Sequence, residues 1–169
     1  SGEPARARAT NTRCFCPPLR LVPLAVSICC RPSGREEMNS QAWAALAAQA
    51  DIMYGYPITP QNEIMHYWTR LAPQFEREFL QTEDEASAGF TTLGGVMAGR
   101  RSFTGTSGPG HMIMQEAMCM AEMMRLPLVS IIQQRGGPST ATVIYSQQES
   151  TLACYGGNGE GFRVVYSTC

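Results

Sequence analysis

At 169 residues the chain is long enough for one domain with its own core and short for a two-domain cofactor enzyme. Apolar residues make up 44% and charged residues 16%, below the usual share of roughly a quarter, which excludes a disordered or coiled-coil chain. Net charge is −1 and all 13 basic residues are arginine, so no basic field points to nucleic acid, and no apolar run approaches the ~18 residues of a membrane span.

The first 37 residues differ from the rest. Six arginines against three acids give them +3 and leave −4 for the remainder; they also hold Pro17, Pro18, Pro23, Pro32 and four of the seven cysteines, Cys14, Cys16, Cys29 and Cys30. No helical or strand period is visible there. Residues 21–30 follow several arginines in the manner of a secretory leader, but Pro23 interrupts them and no small-x-small cleavage site follows. The CFC and CC pairs lack the C-x-x-C spacing of a zinc site. Residues 1–37 are therefore expected to be a disordered extension, or non-native sequence ahead of a start at Met38. Cys119, Cys154 and Cys169 remain for the ordered part, an odd and scattered set that reads as reduced thiols in a cytoplasmic protein.

From Met38 onward short elements alternate. Residues 41–51 are Ala-rich and helical, and 52–56 form a short strand. Residues 60–72 are amphipathic, with Ile64, Met65, Trp68, Leu71 and Ala72 on one face. A strand over 78–82 precedes a helix over 85–97, whose stripe of Ala86, Gly89, Phe90, Leu93 and Met97 includes glycines that allow close packing. A strand over 101–106, a Met-rich helix over 107–125, an apolar strand over 128–133, a weaker helix over 146–154 and a last strand over 163–167 complete the series. This alternation predicts an α/β fold: a mostly parallel sheet with helices on both faces.

In such sheets ligands gather outside the carboxyl ends of the strands. Four polar or glycine-rich motifs follow four of the predicted strands: YPITPQNE, TEDEASAG, TSGPG and QRGGPST. Each also has a purely structural reading. Thr59 before Pro60 can cap a helix. Glu83, Asp84 and Glu85 suit a helix start through the macrodipole, although the small residues after Glu85 allow a dry carboxyl with a raised pKa. The run from Gly105 to Gly110 matches no nucleotide fingerprint and reads either as a phosphate cradle or as a tight helix start. Arg135 is placed to hold a substrate carboxylate in its planar fork, or to form a surface ion pair. His66 and His111 stand alone and support no metal site.

The Met-rich helix carries a polar stripe of His111, Gln115, Glu122 and Arg125. Met112, Ile113, Met114, Met118, Met120, Met123 and Met124 cover most of its remaining circumference. Such a helix is either an ordinary central element or one that meets a partner through adaptable methionines.

Taken in order, Gly55-Tyr56-Pro57-Ile58-Thr59-Pro60, Glu83-Asp84-Glu85, Thr106-Ser107-Gly108-Pro109-Gly110 and Gln134-Arg135-Gly136-Gly137-Pro138-Ser139-Thr140 make the chain resemble the alpha subunit of a 2-oxoacid:ferredoxin oxidoreductase. The resemblance runs from about Met38 to the end and covers the amino-terminal pyrimidine-binding domain of the thiamin diphosphate-binding fold, so residues 38–169 are expected to be that domain, truncated relative to a full subunit.

The resemblance implies a cofactor, thiamine diphosphate, and a reaction, oxidative decarboxylation of pyruvate, 2-oxoglutarate or a branched-chain oxoacid to acyl-CoA with ferredoxin as electron acceptor. It implies that Glu85 is the catalytic carboxyl at the aminopyrimidine, that Thr59 and Arg135 contact the substrate, and that Tyr56, Pro57, Ser107 and Gly108 line the cofactor. The diphosphate, its Mg2+ and the [4Fe-4S] clusters are implied to sit on a beta subunit or other partners, with no metal held by this chain, which would be inactive alone. The chain departs from the family pattern at Ala141, where many members carry glycine, and so in the loop through Glu149. Two other readings compete: a non-catalytic assembly module, and a different thiamine-dependent enzyme.

Overall fold

The computed structural model describes residues 24–29, 35–136, 139, 149–157 and 163–167. Six strands, β1 (Leu24–Cys29), β2 (Ile52–Gly55), β3 (Glu78–Gln81), β4 (Ser102–Ser107), β5 (Leu128–Gln133) and β6 (Arg163–Ser167), form one sheet in the order β3-β2-β4-β5-β1-β6. Every pairing is parallel. The helices are α1 (Arg35–Ala47), α2 (Asn62–Leu71), α3 (Glu85–Met97), α4 (Gly108–Ile113), α5 (Gln115–Met124) and α6 (Glu149–Tyr155), with a 3-10 turn at Ala72–Phe75.

Alternation along β5 divides the core between the two faces of the sheet, as period-2 geometry requires. Leu128 and Ile132 pack with Ala88 and Leu93 of α3, Met118 and Ala121 of α5, and Ala153 of α6. Ile131, with Val129 beside it, packs on the opposite side with Met53, Phe103 and the Ile64, Met65 and Trp68 face of α2. There Trp68 donates its indole N–H to the Glu78 carbonyl at 2.8 Å and meets Phe103 edge to face, with centroids 4.9 Å apart. The expected two-faced parallel α/β fold is present.

Four local expectations are corrected. The segment before Met38, read as lacking any strand period, supplies β1, paired in register with Leu128–Gln133 on one side and with β6 on the other. A strand flanked on both sides by parallel neighbours reads as a continuous apolar run, so alternation is not its signal. The helix expected from Gln41 begins at Arg35. The Met-rich stretch is two helices that break at Met114, whose side chain turns wholly into the core beside Gly89. In α3 the stripe is rotated: Ala88, Gly89, Thr92 and Leu93 are buried, while Phe90 and Met97 are exposed. A Cβ on Gly89 would stand 2.6 Å from the Ala117 Cβ, so the close packing expected of the glycines in this stripe is present at Gly89.

Residues 1–23 and 30–34 lie outside the described residues, as do Gly137, Pro138, Thr140, the loop over 141–148 with the expected helix start at Ser146, and Cys169. Among the described residues no helix is long and apolar enough to cross a membrane.

Candidate active site at the carboxyl edge of the sheet

The chain leaves β2 toward β3 on one side of the sheet and leaves β4 toward β5 on the other. The β2/β4 boundary is thus a topological switch point, where open α/β sheets form a crevice beyond their carboxyl ends. Register shapes that crevice. Gly55, the last residue of β2, pairs with Gly105 and Gln81, whereas β4 and β5 continue to the pair Ser107 and Gln133. Two extra residues raise β4 and β5 about 7 Å above β2 and β3. The loop from Tyr56 to Pro60 begins at the foot of this step.

Glu85 opens α3 and is only 6% exposed. Asp84 caps the helix by accepting the Ser87 N–H at 2.6 Å, which holds the Asp84 carboxyl below its usual range. Burial pushes the Glu85 carboxyl above the ordinary range, and the Asp84 charge acts in the same direction. Its own backbone N–H and the Arg135 guanidinium act the other way. The carboxyl lies over Gly110, where a Cβ would fall 2.7 Å from Oε1 and would also strike the Thr106 hydroxyl.

Arg135, 4% exposed, follows β5 and reaches across β4 to the β2 loop, where its Nη1 donates to the Thr59 carbonyl at 2.8 Å. The surface ion pair proposed as its structural role is therefore corrected, since this side chain is buried. Gly108 lies beneath it with φ +42°, and a Cβ there would come within 2.9 Å of the Arg135 Cγ. Glycine meets both demands at this position. The tight-start reading of the TSGPG run holds as backbone packing, but Ser107 makes no side-chain cap. Thr59 does not cap α2 either: backbone carbonyls of Ile58, Pro60 and Gln61 close that turn, and Gln61 occupies the cap position.

The structure thus brings Glu85, Arg135, the Thr59 carbonyl, Ser107 and Gly108 together at one edge. Thr59 is exposed, Tyr56 is half-buried and Pro57 is exposed in the same β2 loop. Several buried polar atoms here have no hydrogen-bond partner among the described residues: the hydroxyls of Thr106 and Ser107, the Gln61 amide packed over Gly105, and the Arg135 Nε. Such atoms are available to hydrogen-bond a ligand or an ordered water.

Two further residues were missed in the sequence. Glu149, the first residue of α6, accepts the Arg135 backbone N–H on Oε2 at 3.2 Å, and burial raises its carboxyl to about 8 against the opposing backbone bond and charge of Arg135. In the sequence it falls inside the helix expected over 146–154, where nothing local marks it out. His111 is wholly buried, neither ring nitrogen has a partner among the described residues, and burial drives it down to about 3, with the Arg163 charge adding to the effect.

Residues 43–168 match the thiamine diphosphate-binding domain of pyruvate flavodoxin/ferredoxin oxidoreductases. The chain belongs to this family. It is 40% identical over 117 residues to the 2-oxoglutarate synthase subunit KorA of Archaeoglobus fulgidus, a match covering 69% of this chain and 34% of that one. It is 34% identical over 121 residues to the ketoisovalerate oxidoreductase subunit VorB of Methanothermobacter marburgensis, covering 72% and 34%. A solved 2-oxoglutarate:ferredoxin oxidoreductase from Magnetococcus marinus, with 2-oxoglutarate, coenzyme A and succinyl-CoA bound, superposes with a TM-score of 0.71 at 34% identity, over 75% of this chain and 22% of that chain. The chain therefore spans about a third of the length of these two curated relatives.

The family implies thiamine diphosphate, and the residues present fit it. A buried carboxyl of raised pKa is the partner that a ring nitrogen of an aminopyrimidine needs, and the Thr106 hydroxyl, without a partner among the described residues, shares the space over Gly110 with it. Among the described residues no group of three or more His, Cys, Asp or Glu is placed to hold a metal ion.

Proposed function

We propose that this chain supplies the pyrimidine side of a thiamine diphosphate site, together with substrate contacts, in a cytoplasmic enzyme that oxidatively decarboxylates a 2-oxoacid to acyl-CoA and passes electrons to ferredoxin. The observation that carries this reading is the crevice at the switch point, where a dry carboxyl, Glu85, faces a buried arginine, Arg135, that bridges two strand-end loops. The unit responsible is residues 38–169, which contain the family match over 43–168, with Leu24–Cys29 added to its sheet from the preceding segment.

The cofactor, when bound, supplies the electron sink for loss of carbon dioxide. Glu85 holds a proton at neutral pH more readily than an exposed glutamate, and its carboxyl would hydrogen-bond a ring nitrogen of the bound aminopyrimidine. Arg135 offers a planar guanidinium to the oxoacid carboxylate; the Thr59 carbonyl fixes its Nη1, and its Nε remains for a ligand. Thr59 is exposed at the mouth of the site, and Tyr56, Pro57, Ser107 and Gly108 would line the cofactor ring.

Mg2+, the diphosphate and the [4Fe-4S] clusters belong in this reading to a beta subunit. The exposed Met112, Ile113, Met120, Met123 and Met124 of α4 and α5 form the apolar face that such a partner covers.

Calorimetry with thiamine diphosphate, on the chain with and without a cognate beta subunit, tests the proposal: binding is expected in the mixture only. In the assembled enzyme Glu85→Gln is expected to lower kcat by about two to four orders of magnitude with folding intact. Unchanged turnover would remove Glu85 from the mechanism, and no binding in either sample would favour the assembly-module reading.

A further inference from the structure

We propose that Glu149 is a positioning and charge-gating residue for Arg135, controlling how much of the guanidinium charge reaches an oxoacid carboxylate. The inference rests on the assignment of Arg135 to the substrate and deepens it.

Glu149 is 5% exposed, and its two oxygens are used unequally. Oε2 accepts the Arg135 backbone N–H, while Oε1 is buried with no hydrogen-bond partner among the described residues. The next residue repeats the connection, because Ser150 donates its hydroxyl to the Gln134 Oε1 at 3.2 Å. The start of α6 is thus tied twice to the residues that follow β5. From there Arg135 reaches the Thr59 carbonyl, so one chain of contacts runs from α6 through Arg135 to the β2 loop across the crevice. Glu149 therefore fixes the backbone from which the guanidinium projects, and it is the one buried carboxylate among the described residues bonded to that backbone.

The surroundings make its charge consequential. Arg135 is the charged group acting on Glu149. From α4, packed on α6, comes His111, held neutral by burial. From β6 comes Arg163, whose guanidinium is paired with Glu122. Glu85, on α3, is the other carboxyl that feels Arg135. Burial places the Glu149 transition at about 8, so at neutral pH it is mainly protonated and withholds its negative charge from Arg135. Above that pH an ionised Glu149 shares the arginine's charge and repels a second carboxylate. Coupling is reciprocal: an oxoacid bound at Arg135 raises the Glu149 transition, and each unit of that rise equals a tenfold weaker Kd for the ionised form.

The test uses the chain assembled with its cognate beta subunit. Infrared titration follows the Glu149 carboxyl band, identified by its loss in Glu149→Gln, and calorimetry measures 2-oxoglutarate binding from about pH 6 to about pH 10. The band is expected to titrate near 8 and to move upward in Arg135→Met. Kd is expected to weaken about tenfold across that range in the native protein and by less than about twofold in Glu149→Gln, which retains an acceptor for the Arg135 N–H. Equal pH slopes in the two proteins, or a band in the ordinary carboxylate range unmoved by Arg135→Met, overturn the gate and leave the substrate assignment standing. If 2-oxoglutarate and a branched-chain oxoacid both fail to bind at every pH while the band still responds to Arg135→Met, the substrate assignment falls and the gate falls with it.

Discussion

Helix α2 and the pair α4–α5 lie against opposite faces of the same sheet and differ in what they bury. In α2 the apolar Ile64, Met65 and Trp68 point inward, while Glu63, His66, Thr69 and Arg70 are exposed. In α4 and α5 the inward face is mixed: His111 and Glu122 of the polar stripe are buried with Met114, Ala117, Met118 and Ala121 and Gln115 is half-buried, whereas Arg125 is exposed, Met123 is 62% exposed and Met112 57%. What draws the stripe inward is β6 and the chain before it. Arg163 donates to Glu122 and also bonds the carbonyls of Leu152 and Ala153, and Gly156 abuts Gln115. An amphipathic pattern states that a helix has two faces; which one is buried depends on what packs against it.

The sharpest way to break this comparison is to remove one anchor from each side. Trp68→Ala is expected to cost about 3–5 kcal/mol through cavity formation. Glu122→Ala is expected to cost a similar ~3–5 kcal/mol for a different reason, the stranding of a buried Arg163. Replacing Glu122 and Arg163 together by methionine is expected to recover most of that loss, while no second substitution of this kind rescues Trp68→Ala. Urea unfolding reads all three. A Glu122→Ala cost below about 1 kcal/mol would show that the pair is solvated and the inward stripe is not a buried surface.

A smaller effect sharpens the contrast through pH. His111 has a folded transition near 3 against an ordinary 6.5, so its neutral form contributes stability that is present above 6.5 and lost as pH falls toward 3. Glu149 acts in the opposite sense: raised from 4.5 to about 8, it contributes stability that is present below 4.5 and lost as pH rises toward 8. His111→Phe is expected to flatten the acid limb of stability against pH by up to about 1.4 kcal/mol per pH unit, and Glu149→Gln to flatten the alkaline limb. Unfolding free energies measured across that range check both slopes, and an acid limb unchanged in His111→Phe would place the histidine in water.

The smallest expected effect is on the outward face. Met112→Gln and Met123→Gln are expected to change the stability of the chain by no more than about 0.5 kcal/mol, yet to weaken co-purification with a beta subunit. A loss comparable to that of Met118→Gln, which alters a fully buried position, would show instead that the outer methionines are core.

Much of the candidate site was legible because strand-end position is a matter of chain order. Once β2, β3, β4 and β5 are parallel, the motifs that follow them must share an edge. Glu85 and Arg135 were found that way. Glu149 was not, because its role depends on accepting a backbone N–H from a residue 14 positions away, a contact no local period encodes. The Thr59 cap failed for a related reason: its carbonyl, recruited by Arg135, became the useful atom instead of its hydroxyl.

By itself, the sequence determined the α/β alternation, the bounds of α3, β5 and β6, and the order of the four strand-end motifs, since each follows from nearest-neighbour periodicity and turn chemistry. Tertiary structure alone decided that Leu24–Cys29 enters the sheet, that the Met-rich stretch breaks at Met114 and turns its polar side inward, and that Arg135 lies buried between Thr59 and Glu149. The physical reason is common to all three: each depends on the free energy of a contact between segments distant in the chain, and that free energy belongs to neither segment alone.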